Sequence, residues 1–580
     1  MKIALLLFIG SLLAATYIHS NANQKISYAA RQKAIAWKTR YAVNCSPILA
    51  NFNFADSSST IPLLDGWGKY SMPVTTGNDS ASIYFEQGIN MYYGFHIIEA
   101  LASFEKSIKF DTGFAMGYWG KALAYGPNIN DFGYSASPDA LSAMQLARNL
   151  SSNCTPVEKG LINAIQVRYS PDTTKSREVL NQLYADEMKK IYTRFPGSAD
   201  AAALYVDALM VQHPWDLYTK TYQPKTWTPE IVNALEKMLK TFPDHPGAAH
   251  YYIHAIEASE HPEKGMTVAA KLPVMMPGVS HVVHMPSHIY IRSGYYQIGE
   301  QVNEQAVKGY YDYLGKFPAT INNSALYLIH NLHMQATCAN MDGRFKQSMK
   351  SSVDCKNSFD SSWQSIPDYL GVFIQYVYMT PYLTLIRFGK WDEVLSTPEN
   401  PSAHVYANFL WHYGRGLAYA RKHDFVNAGK QLDILKQKIK EPQLKAPAPS
   451  YANPAIAGAE VAEKILKGVL AEEQNNYAGS ITFLQKAVSL EDSMIYNEPK
   501  DWVHPARQYL GNVLCKTNKY AAAEIAYRED LQINPKNGWS LTGLAISLAG
   551  QGKKAAAEKT KQLAAKAFSN TDGPILHSVF

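Results

Sequence analysis

The chain has 580 residues, too many for one hydrophobic core, so it must form several domains or one extended array. Hydrophobic residues at 47% and charged residues at 18% exclude a disordered chain. A formal charge of +6, with acidic and basic residues interleaved throughout, leaves no concentrated basic face, so nucleic acid is not expected as a partner.

The opening MKIALLLFIGSLLAATYIHSNANQ reads as a secretory leader. Lys2 is its positive start, residues 3–15 its apolar run, and small residues around Ala22 its cleavage site. Residues 1–22 are therefore expected to be removed and the mature protein to be periplasmic or secreted. No later stretch offers about 18 consecutive apolar residues, so no integral membrane segment is expected after cleavage. Residues 23–80 mix Ser, Thr, Asn and Pro without a repeat and read as an N-terminal extension.

Residues 81–440 read as stacked helix pairs. The stretch 92–126, YYGFHIIEALASFEKSIKFDTGFAMGYWGKALAYG, places apolar-periodic helices around Gly-centred turns. Comparable units lie at 195–242, 243–276, 277–318, 323–360, 366–400 and 404–440, with turns such as RSGYY, MDGRF, RFGKW and RKHDF. A proline-rich stretch, 441–456, reads as a linker. Further units occupy 457–580, where KYAAAEIAYREDLQINP and KKAAAEKTKQLAAKAF begin 34 residues apart, at Lys519 and Lys553.

A 34-residue period of helix–turn–helix units is the tetratricopeptide (TPR) pattern. One pair cannot bury its apolar face alone, so neighbours must stack. The expected fold is all-α, a TPR solenoid coiled as a right-handed superhelix. The chain resembles the TPR superfamily. It is also similar to a group of secreted bacterial TPR proteins, through GPNIND, HPWDLYT, HPGAAHYYIHAIEAS, HMPSHIYIRSG, HNLHMQA, WHYGRGLA and DWVHPARQYLG. That resemblance implies a TPR fold over roughly residues 80–570 and no particular activity.

Histidine carries the chemistry. Nine of the 17 histidines fall between His245 and His333. HYYIH gives His250 and His254, HMPSH gives His284 and His288, and each member of the second pair follows its counterpart by 34 residues. Residues four apart share a helix face, and equivalent helices of adjacent repeats pack roughly 8–10 Å apart. The four imidazoles can therefore converge, and on the first helices of their repeats they should line the concave groove. In the next unit, HNLH sets His330 and His333 level with His281 and His284. We expect His250, His254, His284, His288, His330 and His333 as metal ligands, His281 beside the substrate, and Glu257 as a carboxylate base next to His254. Pro286 is the internal objection: within a helix it kinks the axis, and at a first helical position it leaves His284 outside the helix.

An all-imidazole set suits zinc, copper or iron, and without cysteine ligands or a CxxC pair a closed structural zinc site is not indicated. Three histidines with an open position activate water on zinc; six would also suit a pair of coppers that take up dioxygen. The function expected is metal-dependent catalysis, an oxidoreductase or hydrolase acting on a small molecule or peptide in the groove. The alternatives are a scaffold cradling an extended peptide without catalysis, and metal storage. Further groove candidates are Trp215, Asp216, His412, Arg415, Asp501, Trp502 and Arg507, for which helix capping and packing between repeats are the competing accounts. Five cysteines are too few for a disulfide framework, although Cys338 and Cys355 sit where a bridge between neighbouring helices is conceivable.

Overall fold

In the computed structural model the described residues are 61–130, 138–316 and 325–580. The leader and most of the N-terminal extension, Cys45 included, lie outside them. Twenty-six α-helices follow one another among the described residues. They run α1 (Asp79–Tyr93), α2 (Ile97–Phe110), α3 (Ala115–Ala124), α4 (Pro138–Asn149), α5 (Pro156–Arg168), α6 (Arg177–Arg194), α7 (Ala199–Gln212) and α8 (Thr228–Thr241). Next come α9 (Pro246–Ile256), α10 (Met266–Met275), α11 (Ser280–His284), α12 (Pro286–Arg292), α13 (Tyr296–Lys316), α14 (Ala325–Met341) and α15 (Phe345–Asn357). Then α16 (Asp368–Tyr378), α17 (Thr380–Arg387), α18 (Trp391–Ser396), α19 (Val405–Arg421) and α20 (Phe425–Lys438) follow. The chain closes with α21 (Ala455–Glu473), α22 (Tyr477–Glu491), α23 (Ala506–Lys516), α24 (Tyr520–Ile533), α25 (Gly538–Gly550) and α26 (Lys554–Ala567). An isolated β-bridge joins Tyr218 and Pro224.

The hairpins share one device. In eight of the turns inside a pair, the residue two before the second helix has a left-handed backbone: Phe95, Gly294, Gly343, Gly389, His423, Asn475, Asn518 and Gly552. Gly and Asn adopt that conformation at low cost. A bulky Phe95 at φ 57° does not, so the first hairpin carries strain that the Gly and Asn turns avoid.

The expected 441–456 linker is a packed connection. Leu444 is buried under α19 and α21, and Asn453 donates to Ile495 O (3.0 Å) and Asp501 Oδ2 (2.7 Å). Residues 61–78, part of the expected non-repetitive extension, run as a strap along α1. Trp67 and Met72 are buried there, and Gly278 N donates to Gly66 O at 2.8 Å. Cys338 and Cys355 are both buried free thiols, so no bridge joins their helices.

The array coils back onto itself. Arg292 Nη1 donates to Ile533 O (3.3 Å), Tyr296 Oη to Pro535 O (2.9 Å), and Trp539 Nε1 to Asn340 O (3.1 Å). Repeats some 240 residues apart in sequence therefore touch. The space expected as an open groove is closed over the histidines.

Candidate metal centre

The centre is built from α9, α11, α12 and α14. α9 starts at Pro246, whose missing N–H suits a first helical position, and the His245 side chain accepts from Ala248 N at 3.1 Å. Every residue of α9 is buried, as expected of a helix apolar all round. Gly247 lets Tyr93 approach where a Cβ would stand 2.5 Å from its ring. Pro286 opens α12, but Met285 before it keeps helical angles (φ −49°, ψ −38°). The chain thus stays helical through a break in hydrogen bonding, and His284 is not lost from the helix face.

Six imidazoles form two sets of three. In the first, His250 Nε2 lies 3.1 Å from His281 Nε2 and 3.2 Å from His254 Nε2. In the second, His284 Nε2 lies 2.8 Å from His288 Nε2 and 3.1 Å from His330 Nε2. The sets are neighbours: ring centroids of His281 and His284 are 6.0 Å apart, those of His254 and His288 6.2 Å. All six residues are at most 4% exposed. Each set is a group of side chains that could hold a metal ion, and so is the trio Glu257, His288 and Glu498.

The outer nitrogens determine what the inner ones offer. His250 Nδ1 donates to Tyr93 O at 2.6 Å and His284 Nδ1 to Asn303 Oδ1 at 2.7 Å. Asn303 is oriented for this by its own donation to Gly299 O (2.7 Å). His254 Nδ1 meets Glu257 Oε1 at 3.3 Å, and His288 Nδ1 meets Glu498 Oε2 at 2.5 Å and Glu257 Oε2 at 3.0 Å. In the neutral rings of His250, His254 and His284 these contacts put the proton on Nδ1 and the lone pair on Nε2. His254 then faces His250 lone pair to lone pair, and His284 turns its lone pair to His288 Nε2. Such contacts near 3 Å are repulsive until a proton or cation lies among them. Separations of this size let each set close on a metal ion.

Protonation is a poor substitute. Burial first, and then the neighbouring rings, pushes His250, His254, His281, His284 and His330 well below the ordinary imidazole range. Burial raises the Glu257 carboxyl to about 7 against the pull of His288 and Arg292, and raises Glu498 too.

A cavity of about 320 Å³ opens against the first set and touches His254 and Glu257. Phe95 covers the other side, its ring centroid 4.5 Å from that of His250. Tyr327 Oη fixes Phe95 by donating to its carbonyl (2.8 Å), and the Tyr327 ring lies 4.9 Å from His281.

The expected residues divide accordingly. His250, His254, His284, His288 and His330 come together. His281, expected beside the substrate, completes the first set. His333, expected as a ligand, stands outside both sets: it is packed 5.9 Å from the Tyr376 ring, and burial lowers it to about 4. Glu257 bridges the sets through outer nitrogens. Trp215 and Asp216 line the cavity, Asp216 paired with Lys225. The remaining candidates have structural partners. His412 bonds Gln431 Oε1 (2.7 Å), and Arg415 donates to Leu395 O (2.7 Å) and Tyr419 Oη (2.6 Å). Asp501 accepts from Asn453 and Asn497, Trp502 Nε1 donates to His504 O (2.7 Å), and Arg507 pairs with Asp492 and Glu529. None of these five lines the cavity or meets a histidine of the centre.

Phe95, Tyr327, Asn303 and the metal-side role of Glu498 escaped the sequence reading. Only Phe95 leaves a signal there, as a bulky residue in a turn slot that elsewhere holds Gly, Asn or His.

No family model and no curated protein matches the chain. Solved structures similar to it include a human IFIT1 dimer with m7Gppp-AAAA, at 12% identity, covering 89% of this chain and 99% of that one with a TM-score of 0.29. Yeast Tom70 is 11% identical, covering 83% and 92% with a TM-score of 0.26. The P58(IPK) TPR domain is 10% identical, covering 82% and 98% with a TM-score of 0.21. Likenesses that loose carry no argument about function. Among the described residues, no helix is long and apolar enough to cross a membrane. By its paired helices, with equivalent starts 34 residues apart at Pro246 and Ser280 and at Tyr520 and Lys554, the described chain is an all-α helical-repeat solenoid.

Proposed function

We propose that this is an exported metalloenzyme whose two three-histidine sets hold a pair of transition-metal ions, and that copper is the working metal. The observation that carries the reading is the facing of Nε2 atoms at 2.8–3.2 Å within each set while the outer nitrogens of His250, His254 and His284 are held by acceptors. Copper is favoured because each set is three neutral imidazoles with no thiolate and no carboxylate among the inner atoms, and divalent copper tops the affinity order for such donors. A copper pair so held would supply two-electron chemistry with dioxygen. The chain's own part is to fix the six rings, exclude bulk water by burial, and offer Glu257. Among the described residues Glu257 is the carboxylate that both lines the cavity and meets a ring of each set, where it can pass a proton from a bound molecule. A groove-bound extended peptide, the scaffold reading, is disfavoured because the six histidines are at most 4% exposed and out of its reach.

The test is elemental analysis of protein purified without a histidine tag and offered copper and zinc. The expected result is two ions per chain, copper in preference to zinc, with dioxygen consumed when a reductant is supplied. His281→Ala and His284→Ala should each lower the content to about one ion. Protein that takes up no metal would overturn the proposal; two zinc ions without oxygen consumption would replace oxidation by hydrolysis. Export is read from the mature N-terminus, expected after Ala22.

A further inference from the structure

The cavity beside His254 has a wall chemistry that names its occupant. One side is the segment between α7 and α8, contributing Trp215, Leu217 and Tyr218; the other is Ile495 and Tyr496, with Met210 and Ile129 between. Trp215 is set in place with unusual care. Its backbone is left-handed (φ 59°), its Nε1 donates to Ile129 O at 2.7 Å, and its ring stands edge-on to His254 with centroids 5.2 Å apart. A non-glycine residue held in that region is strained, and such strain persists where surroundings enforce it. Tyr218 Oη is committed to Ala255 O at 2.8 Å, so the ring body faces the space.

The charged side chains around the cavity already have contacts of their own. Lys225 pairs with Asp216, Lys220 donates to Ser493 O at 2.5 Å, and Glu257 serves His254 and His288. A charged ligand would have to be desolvated here and break one of these contacts to gain a counter-charge, which is costly. Aromatic walls favour a planar π-system through edge and offset contacts. A volume of about 320 Å³ is at the small end of ligand pockets, room for one or two rings and not for an extended peptide.

We propose that this cavity is the substrate pocket of the centre and that it takes a small, neutral aromatic molecule, with the reacting substituent directed at His254 and Glu257. The inference rests on the metalloenzyme reading for its catalytic meaning, but binding itself does not require the metal.

The test is calorimetric titration of 2-naphthol into the full-length protein, both metal-free and copper-loaded. The comparison ligands are 6-hydroxy-2-naphthoate, which adds a charge, and decahydro-2-naphthol, which removes the π-system. The expected result is saturable binding of 2-naphthol to both forms, at least tenfold weaker for either comparison ligand. Trp215→Ala and the cavity-filling Ala258→Phe should each weaken it at least tenfold while the metal content stays that of the native chain. No binding of 2-naphthol, equal binding of all three ligands, or indifference to both variants would overturn the proposal. Naphthol binding without metal uptake sinks the metal centre and leaves the pocket; metal uptake without naphthol binding does the reverse.

Discussion

At the scale of single residues, the outer hydrogen bonds separate ligands from neighbours. His288 is held by two buried carboxylates, Glu498 at 2.5 Å and Glu257 at 3.0 Å, which orient its ring and raise the basicity of its inner nitrogen. Loss of such an outer partner typically weakens metal binding about 10–100-fold. Glu498→Ala should therefore weaken one of the two sites by that factor in a competitive chelator titration. The other site, built on His250, His254 and His281, should be unchanged. His333→Ala should leave both sites filled, because the ring packs on Tyr376 and belongs to neither set. Equal metal loss in the two variants would show that the sets are misassigned.

At the scale of elements, the break between α11 and α12 sets the geometry of the second site. Met285 N still bonds His281 O (3.1 Å), whereas His288 N reaches only three residues back, to Met285 O (3.2 Å). Proline tolerates that break because it brings no donor. Pro286→Ala adds an N–H and removes the ring that opens the turn. The helix should then close up, and His284 should shift relative to His288, which it now meets at 2.8 Å. We expect a chain that folds and keeps the first site, with the second weakened at least tenfold in the same titration. Unchanged affinity at both sites would mean that the break has no part in aiming His284.

At the scale of the whole molecule, the C-terminal repeats hold the site shut, and His504 is one of the bolts. Its Nε2 donates to Leu383 O at 3.0 Å, tying the 494–505 segment that carries Glu498 to α17. Burial, aided by Arg387, lowers His504 from 6.5 to about 3. Above pH 6.5 neither folded nor unfolded chain protonates it, so it exacts no penalty. Below 6.5 the unfolded chain takes up the proton and the folded chain does not until about 3, so stability falls as pH falls through that window. The full effect is at most roughly 5 kcal/mol. His504→Gln keeps a donor for Leu383 O but cannot titrate. Urea midpoints measured from pH 7 to pH 4 should decline less steeply in this variant than in the native protein; parallel slopes would show that His504 is not buried uncharged.

The 34-residue step, the turn signals and the spacing of His250, His254, His284 and His288 were readable because they are local: one repeat dictates two helices, and a duplicated position puts like side chains at like heights. The same logic reaches His330, one repeat further on, but cannot tell it from His333, three residues along the same helix, because the choice depends on how α14 rotates against α11 and α12. His281 was legible as near the site, and only packing makes it part of the first set. Glu498 enters from more than 200 residues away, and Phe95 acts through a strained turn, so neither shows in any local spacing. Sequence determined the helices and their order, since those follow from short-range hydrogen bonding and hydrophobic period. Tertiary structure decided that the groove closes, which nitrogens meet and which carboxylates hold them, since those depend on contacts between repeats that the chain brings together only by coiling.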